Sequence, residues 1–177
     1  PLRVLGSMMR YLAEEASVPV VVHLDHGANI DECRQAIASG FSSVMYDGSR
    51  LPLKENIKAT RAVVELAHDK GISVEGEIGF VGYAEGEVSA TTDPEEAALF
   101  AKETGIDAMA ISVGNVHLQL DSETELDEQV IQEIQSLTDT PLVIHGGSGV
   151  PVSQRAKLAA STTVSYTHLT LPTIVRV

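Results

Sequence analysis

The chain has 177 residues, 44% hydrophobic and 21% charged, which fits one globular domain with room for a core and excludes disordered and fibrous classes. Its 25 Asp and Glu against 12 Lys and Arg leave a formal charge of −13, an argument against a nucleic-acid or anionic-membrane partner. The single cysteine, Cys33, excludes a disulfide framework, and no apolar run reaches the ~20 residues of a bilayer span, so a cytoplasmic protein is expected.

Pro1–Ala16 carries a helical pattern, and a chain opening on Pro1 directly into a helix is expected to be an internal fragment. The first β-type run, Val18–Leu24, is followed by Asn29–Ser39, whose Asn-Ile-Asp-Glu start supplies an N-cap and acids in the first turn. Ser43–Tyr46 is the second run, and Leu53–Asp69 is a helix ending before Gly71, a C-cap residue. The third run, Ile72–Glu77, precedes the glycine-dotted loop Phe80–Glu87 and a helix over Asp93–Glu103 with Pro94 at its first position. Ala108–Val113 and Pro141–Ile144 complete the runs, separated by the amphipathic Glu125–Leu137 and followed by a shorter helix, Val152–Ala160.

The five runs are rich in Val and Ile and mostly continuous rather than alternating, the pattern of strands buried on both faces. Strands alternating with helices build βαβ units on a parallel sheet, either an open doubly wound sheet or a closed (β/α)8 barrel. No Gly-x-Gly-x-x-Gly follows the first strand, so the dinucleotide-binding form loses its main support.

Every run delivers a titratable or ligating side chain at its C-terminal end, and in a parallel barrel those ends share the face that carries the chemistry. The first gives His23-Leu24-Asp25-His26-Gly27, the second Tyr46-Asp47-Gly48-Ser49, and the third Glu75-Gly76-Glu77. The fourth gives Gly114-Asn115-Val116-His117, and the fifth His145-Gly146-Gly147-Ser148-Gly149. A carboxylate and an imidazole at a strand mouth, Asp25 and His26, are costly unless used. With His117 and His145 they supply three imidazoles, the ligand count of an open zinc site.

Several residues have plain structural readings. His23, inside its strand, reads as a satisfied core histidine, Cys33 as packing, and His68 as solvent-facing on its helix. Asp47 before Gly48 reads equally as a turn former. Glu75 and Glu77 fall on one side of their strand by period-2 alternation, so an internal salt bridge accounts for one of them. Glu85, in Gly82-Tyr83-Ala84-Glu85-Gly86, is either a residue on a mobile segment or a surface acid. The Gly146-Gly147-Ser148-Gly149 turn precedes a helix and can hold a phosphate through successive N–H groups and a hydroxyl, without a side-chain cation.

These stretches resemble the class II, metal-dependent ketose-bisphosphate aldolases, the group of fructose- and tagatose-bisphosphate aldolases. The matching segments are Pro19–Gly27, Val44–Ser49, Val74–Gly79, Gly114–His117 and Ile144–Gly149, in family order and spacing, with the likeness covering about residues 1 to 164. The resemblance implies a (β/α)8 barrel, a homodimer or homotetramer in the full-length form, and a sugar-phosphate substrate. It implies Zn2+ on His26, His117 and His145, and a second-metal or alternate site on Asp47 and Glu77. It makes Asp25 the catalytic acid/base and Glu85 the residue that moves the carbon-bound proton. Phosphate recognition falls on Gly146, Gly147 and Ser148. The implied reaction cleaves a ketose 1,6-bisphosphate, fructose or tagatose, to dihydroxyacetone phosphate and glyceraldehyde 3-phosphate, with the metal acting as a Lewis acid. A Schiff-base route would need a lysine, and none lies within the strand-mouth motifs.

Three departures from the family pattern stand out. Leu118 occupies the position of a glycine whose backbone meets the substrate phosphate and a monovalent cation. The first two barrel units, about 55 to 60 residues of a barrel of about 250, are expected to precede Pro1. Residues 1–164 are thus expected to form a partial barrel of about five βα units. The Tyr166–Val177 stretch resembles translated adapter sequence, so residues 165–177 read as a non-native tail in which His168 has no function. The rival functions are a zinc hydrolase on the same barrel, disfavoured by the phosphate turn, and an inactive truncated fragment.

Overall fold

The structure, a computed structural model, describes residues 2–82, 88–117, 124–159 and 163–165. The chain divides into two compact units. One comprises residues 1–77 and 100–107, the other residues 78–99 and 108–177. Among the described residues no helix is long and apolar enough to cross a membrane.

The first unit holds helix α1 (Leu2–Glu15), strand β1 (His23–Gly27), α2 (Ile30–Ala38), β2 (Ser43–Tyr46), α3 (Leu53–His68) and most of β3 (Ser73–Ile78). Its strands are parallel, with His23 opposite Ser43 and Val44 opposite Val74. Local chemistry sets the helix ends. Asn29 accepts from the Glu32 N–H at 2.9 Å, while the Glu32 carboxylate accepts from the Ala28 N–H, a reciprocal cap at the start of α2. The core is formed by Cys33, Ala36, Val44, Met45, Val63, Ala67 and Val74, all essentially without solvent contact. Burial of such side chains supplies the main driving force of the unit.

Regular pairing in β1 starts at His23 rather than Val18. Residues 18–22 retain the apolar sequence of a strand, yet Val18, Val20 and Val21 are exposed and only Val22 is buried. Hydrogen bonds to β2 begin with the Val22 carbonyl, which accepts from Ser42 and Ser43. A hydrophobic run marks β propensity, but a ladder needs a partner backbone.

The second unit holds the start of α4 (Pro94–Thr104), β4 (Ala108–Ile111), α5 (Glu128–Leu137), β5 (Leu142–Ile144), α6 (Val152–Ala159) and β6 (Thr163–Ser165). β4 pairs β5 and β5 pairs β6, both parallel, with Met109 opposite Leu142 and Ile144 opposite Ser165. Asp93 caps α4 by accepting from Glu95 and Glu96, and Asp127 caps α5 by accepting from Gln129 and Val130. Asp127 moves the start of α5 three residues beyond the expected Glu125. β6 adds a sixth strand to the five that the apolar runs predict. Three residues give too little pattern to signal a strand.

Candidate metal centre

β1 is irregular where its candidate ligands sit. Its register against β2 shifts between Leu24 and Gly27, a bulge or similar irregularity, and His26 has φ of +50°. Among the described residues it is the sole non-glycine with positive φ. The left-handed region costs an L-residue roughly 1–2 kcal/mol, and bulges re-aim side chains. This strain is confined to the first candidate zinc histidine.

The re-aimed imidazole meets a set of carboxylates contributed by all three strands of the first unit. His26 Nδ1 lies 3.0 Å from Asp47 Oδ2 and 3.6 Å from Glu77 Oε2, and Nε2 lies 3.8 Å from Asp25 Oδ1. His26, Asp47 and Glu77 each offer a donor atom, and the three atoms lie within 4.8 Å of one another. One imidazole and two carboxylates form a donor set suited to a divalent cation. The residues present therefore fit a metal ion, and the strained backbone shows that the fold holds this histidine in place against a local cost.

The electrostatics follow from the same contacts. Burial by itself would lower the His26 pKa, but the hydrogen bond with Asp47 and the charges of Glu77 and Asp25 outweigh it, raising the value to about 8. Burial would raise the Asp47 pKa, but the bonds with His26 and Ser49 prevail and hold it at about 2. Asp47 forms the turn that its place before Gly48 suggests and also reaches the imidazole. One carboxylate oxygen closes a turn by accepting from the Ser49 amide and hydroxyl, while the other faces His26. A buried amide supports Glu77 from behind. Asn56, on α3, donates to the Glu77 carbonyl at 2.8 Å and accepts from the Thr60 hydroxyl.

His23 and Glu75 occupy a separate contact of the same unit. His23 Nδ1 is 2.8 Å from the Ser43 hydroxyl and its Nε2 is 3.7 Å from the buried Glu75 carboxylate, the internal pair that alternation along β3 allows. His68 is exposed as expected on α3, and its Nε2 approaches Asp107 at 2.8 Å. Cys33 is fully buried, and burial pushes its thiol up to about 11.

In the second unit, His117 and His145 come together at the ends of β4 and β5. Their ring centroids are 5.8 Å apart, and both side chains are buried. The glycine turn after His145 starts with Gly146 at φ +69° and continues as a single 3₁₀ turn over Gly147–Gly149. The turn's own bonds use the amides of Gly149 and Val150, which donate to the Gly146 and Gly147 carbonyls. Those donors lie beyond Gly146, Gly147 and Ser148, the phosphate-binding residues that the resemblance implies. Glu85, Leu118, the Ser148 side chain and the Tyr166–Val177 tail lie outside the described residues.

Parallel βα units with imidazoles and carboxylates at the strand ends define the class: an incomplete (β/α)8 barrel with a candidate metal centre. The family model for class II fructose-bisphosphate aldolase matches residues 1–165. Fructose-bisphosphate aldolase of Staphylococcus aureus (strain Mu50) is 44% identical over 145 residues, which cover 80% of this chain and 51% of the relative. That of Geobacillus stearothermophilus is 44% identical over 154 residues, 84% of this chain and 54% of the relative. Among solved structures, the YdjI aldolase of Escherichia coli K12 superposes with a TM-score of 0.79 at 34% identity, covering 93% of this chain and 58% of that one. Fructose-bisphosphate aldolase of Campylobacter jejuni gives 0.72 at 27% identity, covering 93% and 55%. The chain belongs to the class II fructose-bisphosphate aldolase family. It spans about half the length of the curated relatives it matches.

Proposed function

We propose that the protein carrying this chain is a zinc-dependent aldolase. It would reversibly cleave a ketose 1,6-bisphosphate, fructose or tagatose, to dihydroxyacetone phosphate and glyceraldehyde 3-phosphate. The observation that carries the proposal is the strained, re-aimed His26 meeting Asp47 and Glu77. His26, His117 and His145 would hold Zn2+, with Asp47 and Glu77 as acids of a second or alternate site. A bound Zn2+ would supply Lewis-acid polarisation of the substrate carbonyl.

The chain's own residues would bind substrate and move protons. Asp25, partly exposed at the mouth of β1, would accept the C4 hydroxyl proton as the carbon–carbon bond breaks, a general-base role for which a solvated carboxylate suffices. Glu85 would return a proton to carbon, and in the condensing direction would remove it. The Gly146–Ser148 turn would hold a phosphate through backbone donors, which suits a protein whose acid excess provides few cations. The backbone at Leu118 would add a contact to that phosphate, and a monovalent cation would bind with it. The same proposal includes a cytoplasmic homodimer or homotetramer.

The test is metal content. The intact protein should retain about one equivalent of zinc through gel filtration, and His26→Ala, His117→Ala and His145→Ala should each lose it. Retention of full zinc by all three variants would overturn the assignment.

A further inference from the structure

We propose that Asn115 is a positioning residue for the metal centre, its side-chain amide tying the end of β4 to the backbone of His145. The inference rests on the proposed roles of His117 and His145 as zinc ligands.

Asn115 is fully buried, two residues before His117. Its Oδ1 accepts from the Val113 N–H at 2.8 Å. Its Nδ2 donates to the Ile111 carbonyl at 3.3 Å and to the His145 carbonyl at 3.0 Å. An amide side chain offers two donor hydrogens and an acceptor oxygen, and here both ends are engaged. Two of the bonds return to its own strand end, and the third crosses to β5. A buried amide whose donors and acceptor are all engaged is fixed in orientation. The His145 carbonyl is therefore held at a set distance from the chain that carries His117.

A steric contact beside this bond reinforces the same junction. A Cβ placed on Gly146 would lie 2.3 Å from the Val116 carbonyl oxygen, so the backbone on either side of the two histidines is in close contact. Asn115 and the Gly146–Val116 contact together determine how far apart the two imidazoles start. Ligand geometry of this kind governs affinity because a tetrahedral N-ligand site admits little variation in metal–nitrogen distance. Asparagine is the residue type required. Aspartate has the same shape but presents an acceptor to the Ile111 and His145 carbonyls, turning two attractions into repulsions.

The experiment uses the intact protein, stripped of metal and titrated with Zn2+ against a chromophoric chelator, then with Co2+ for its visible absorption. Asn115→Asp and Asn115→Ala are compared with wild type, and His145→Ala is the control. Either variant that still unfolds cooperatively carries the test. The inference predicts a 10- to 100-fold loss of zinc affinity, the range typical of residues supporting metal ligands, together with a changed Co2+ spectrum. A purely structural role would lower thermal stability and leave both metal readouts unmoved. Affinity within about threefold of wild type with a superimposable Co2+ spectrum would overturn the inference while His145→Ala still loses zinc. Zinc binding that survives His145→Ala would instead overturn the ligand assignment itself.

Discussion

Replacing Gly146 by alanine should destabilise the protein by an amount that can be separated into its causes. Gly105 provides the reference, since its φ of +71° matches the +69° of Gly146, yet a Cβ there meets nothing within 4 Å. Gly105→Ala thus carries only the left-handed penalty of roughly 1–2 kcal/mol, offset by about 0.4–1 kcal/mol from a less flexible unfolded chain. The net is roughly 0–1.6 kcal/mol. Gly146→Ala carries those same terms and adds a Cβ 2.3 Å from the Val116 oxygen and 2.8 Å from its carbon. Both atoms are backbone, so no rotamer relieves the overlap, and the carbonyl must retreat by roughly 1 Å. Overpacking of this kind costs about 1–3 kcal/mol. Gly146→Ala should therefore exceed Gly105→Ala by that amount, read from urea midpoints of the intact protein at a common m-value. Because Val116 precedes His117, zinc should also stabilise Gly146→Ala less than it stabilises Gly105→Ala. Equal stabilities of the two variants, within about 0.5 kcal/mol, would mean that the Val116 carbonyl does not crowd position 146.

Three further outcomes follow from named residues. Cys33, fully buried with its pKa pushed up to about 11, should not react with a thiol-specific disulfide reagent at pH 8 over minutes. It should react fully once the protein is unfolded in guanidinium, and rapid labelling of the native protein would show that the α2–β2 packing is wrong. At position 26, glycine tolerates the φ of +50°, so metal-free His26→Gly should be more stable than metal-free His26→Ala by up to roughly 1.6 kcal/mol once the entropy of the unfolded glycine chain is counted. A more stable alanine variant, measured by thermal unfolding, would place the backbone elsewhere. Asp25→Asn should lower kcat for cleavage by about 10²–10⁴-fold, the range of a lost general base, with zinc content unchanged. Wild-type kcat would remove Asp25 from the proton transfer.

Much of the fold was legible because apolar runs of four to seven residues alternate with capped amphipathic stretches. Asn29 and Pro94 mark helix starts through local chemistry that acts over three or four residues, whereas the Asp127 cap, which sets the start of α5, went unread. Strand limits depend on partners far away in sequence. Val18–Val22 has the composition of a strand, but its valines are exposed and regular pairing begins at His23. The chemistry-bearing positions could be picked out because imidazoles and carboxylates recur after successive runs. Their mutual geometry could not. Nothing in His-Leu-Asp-His announces the register shift against β2 or the positive φ of His26. The three-strand meeting of His26, Asp47 and Glu77 likewise depends on register. Asn115 stood within a recognised stretch without a role, because its decisive bond reaches 30 residues along the chain to His145. Asn56 was silent for the same reason, its contact with Glu77 spanning 21 residues.

Metal-dependent carbon–carbon cleavage is the activity proposed for the protein carrying this chain. The most direct measurement follows the splitting of fructose 1,6-bisphosphate by the intact protein before chelation, after chelation, and after zinc is restored. Tagatose 1,6-bisphosphate is run in parallel. At least one of the two ketoses should be cleaved, with chelation abolishing the cleavage and zinc returning it, and borohydride in the presence of substrate should not inactivate the protein. Cleavage that survives chelation and is destroyed by borohydride would identify a Schiff-base lysine and contradict that proposal.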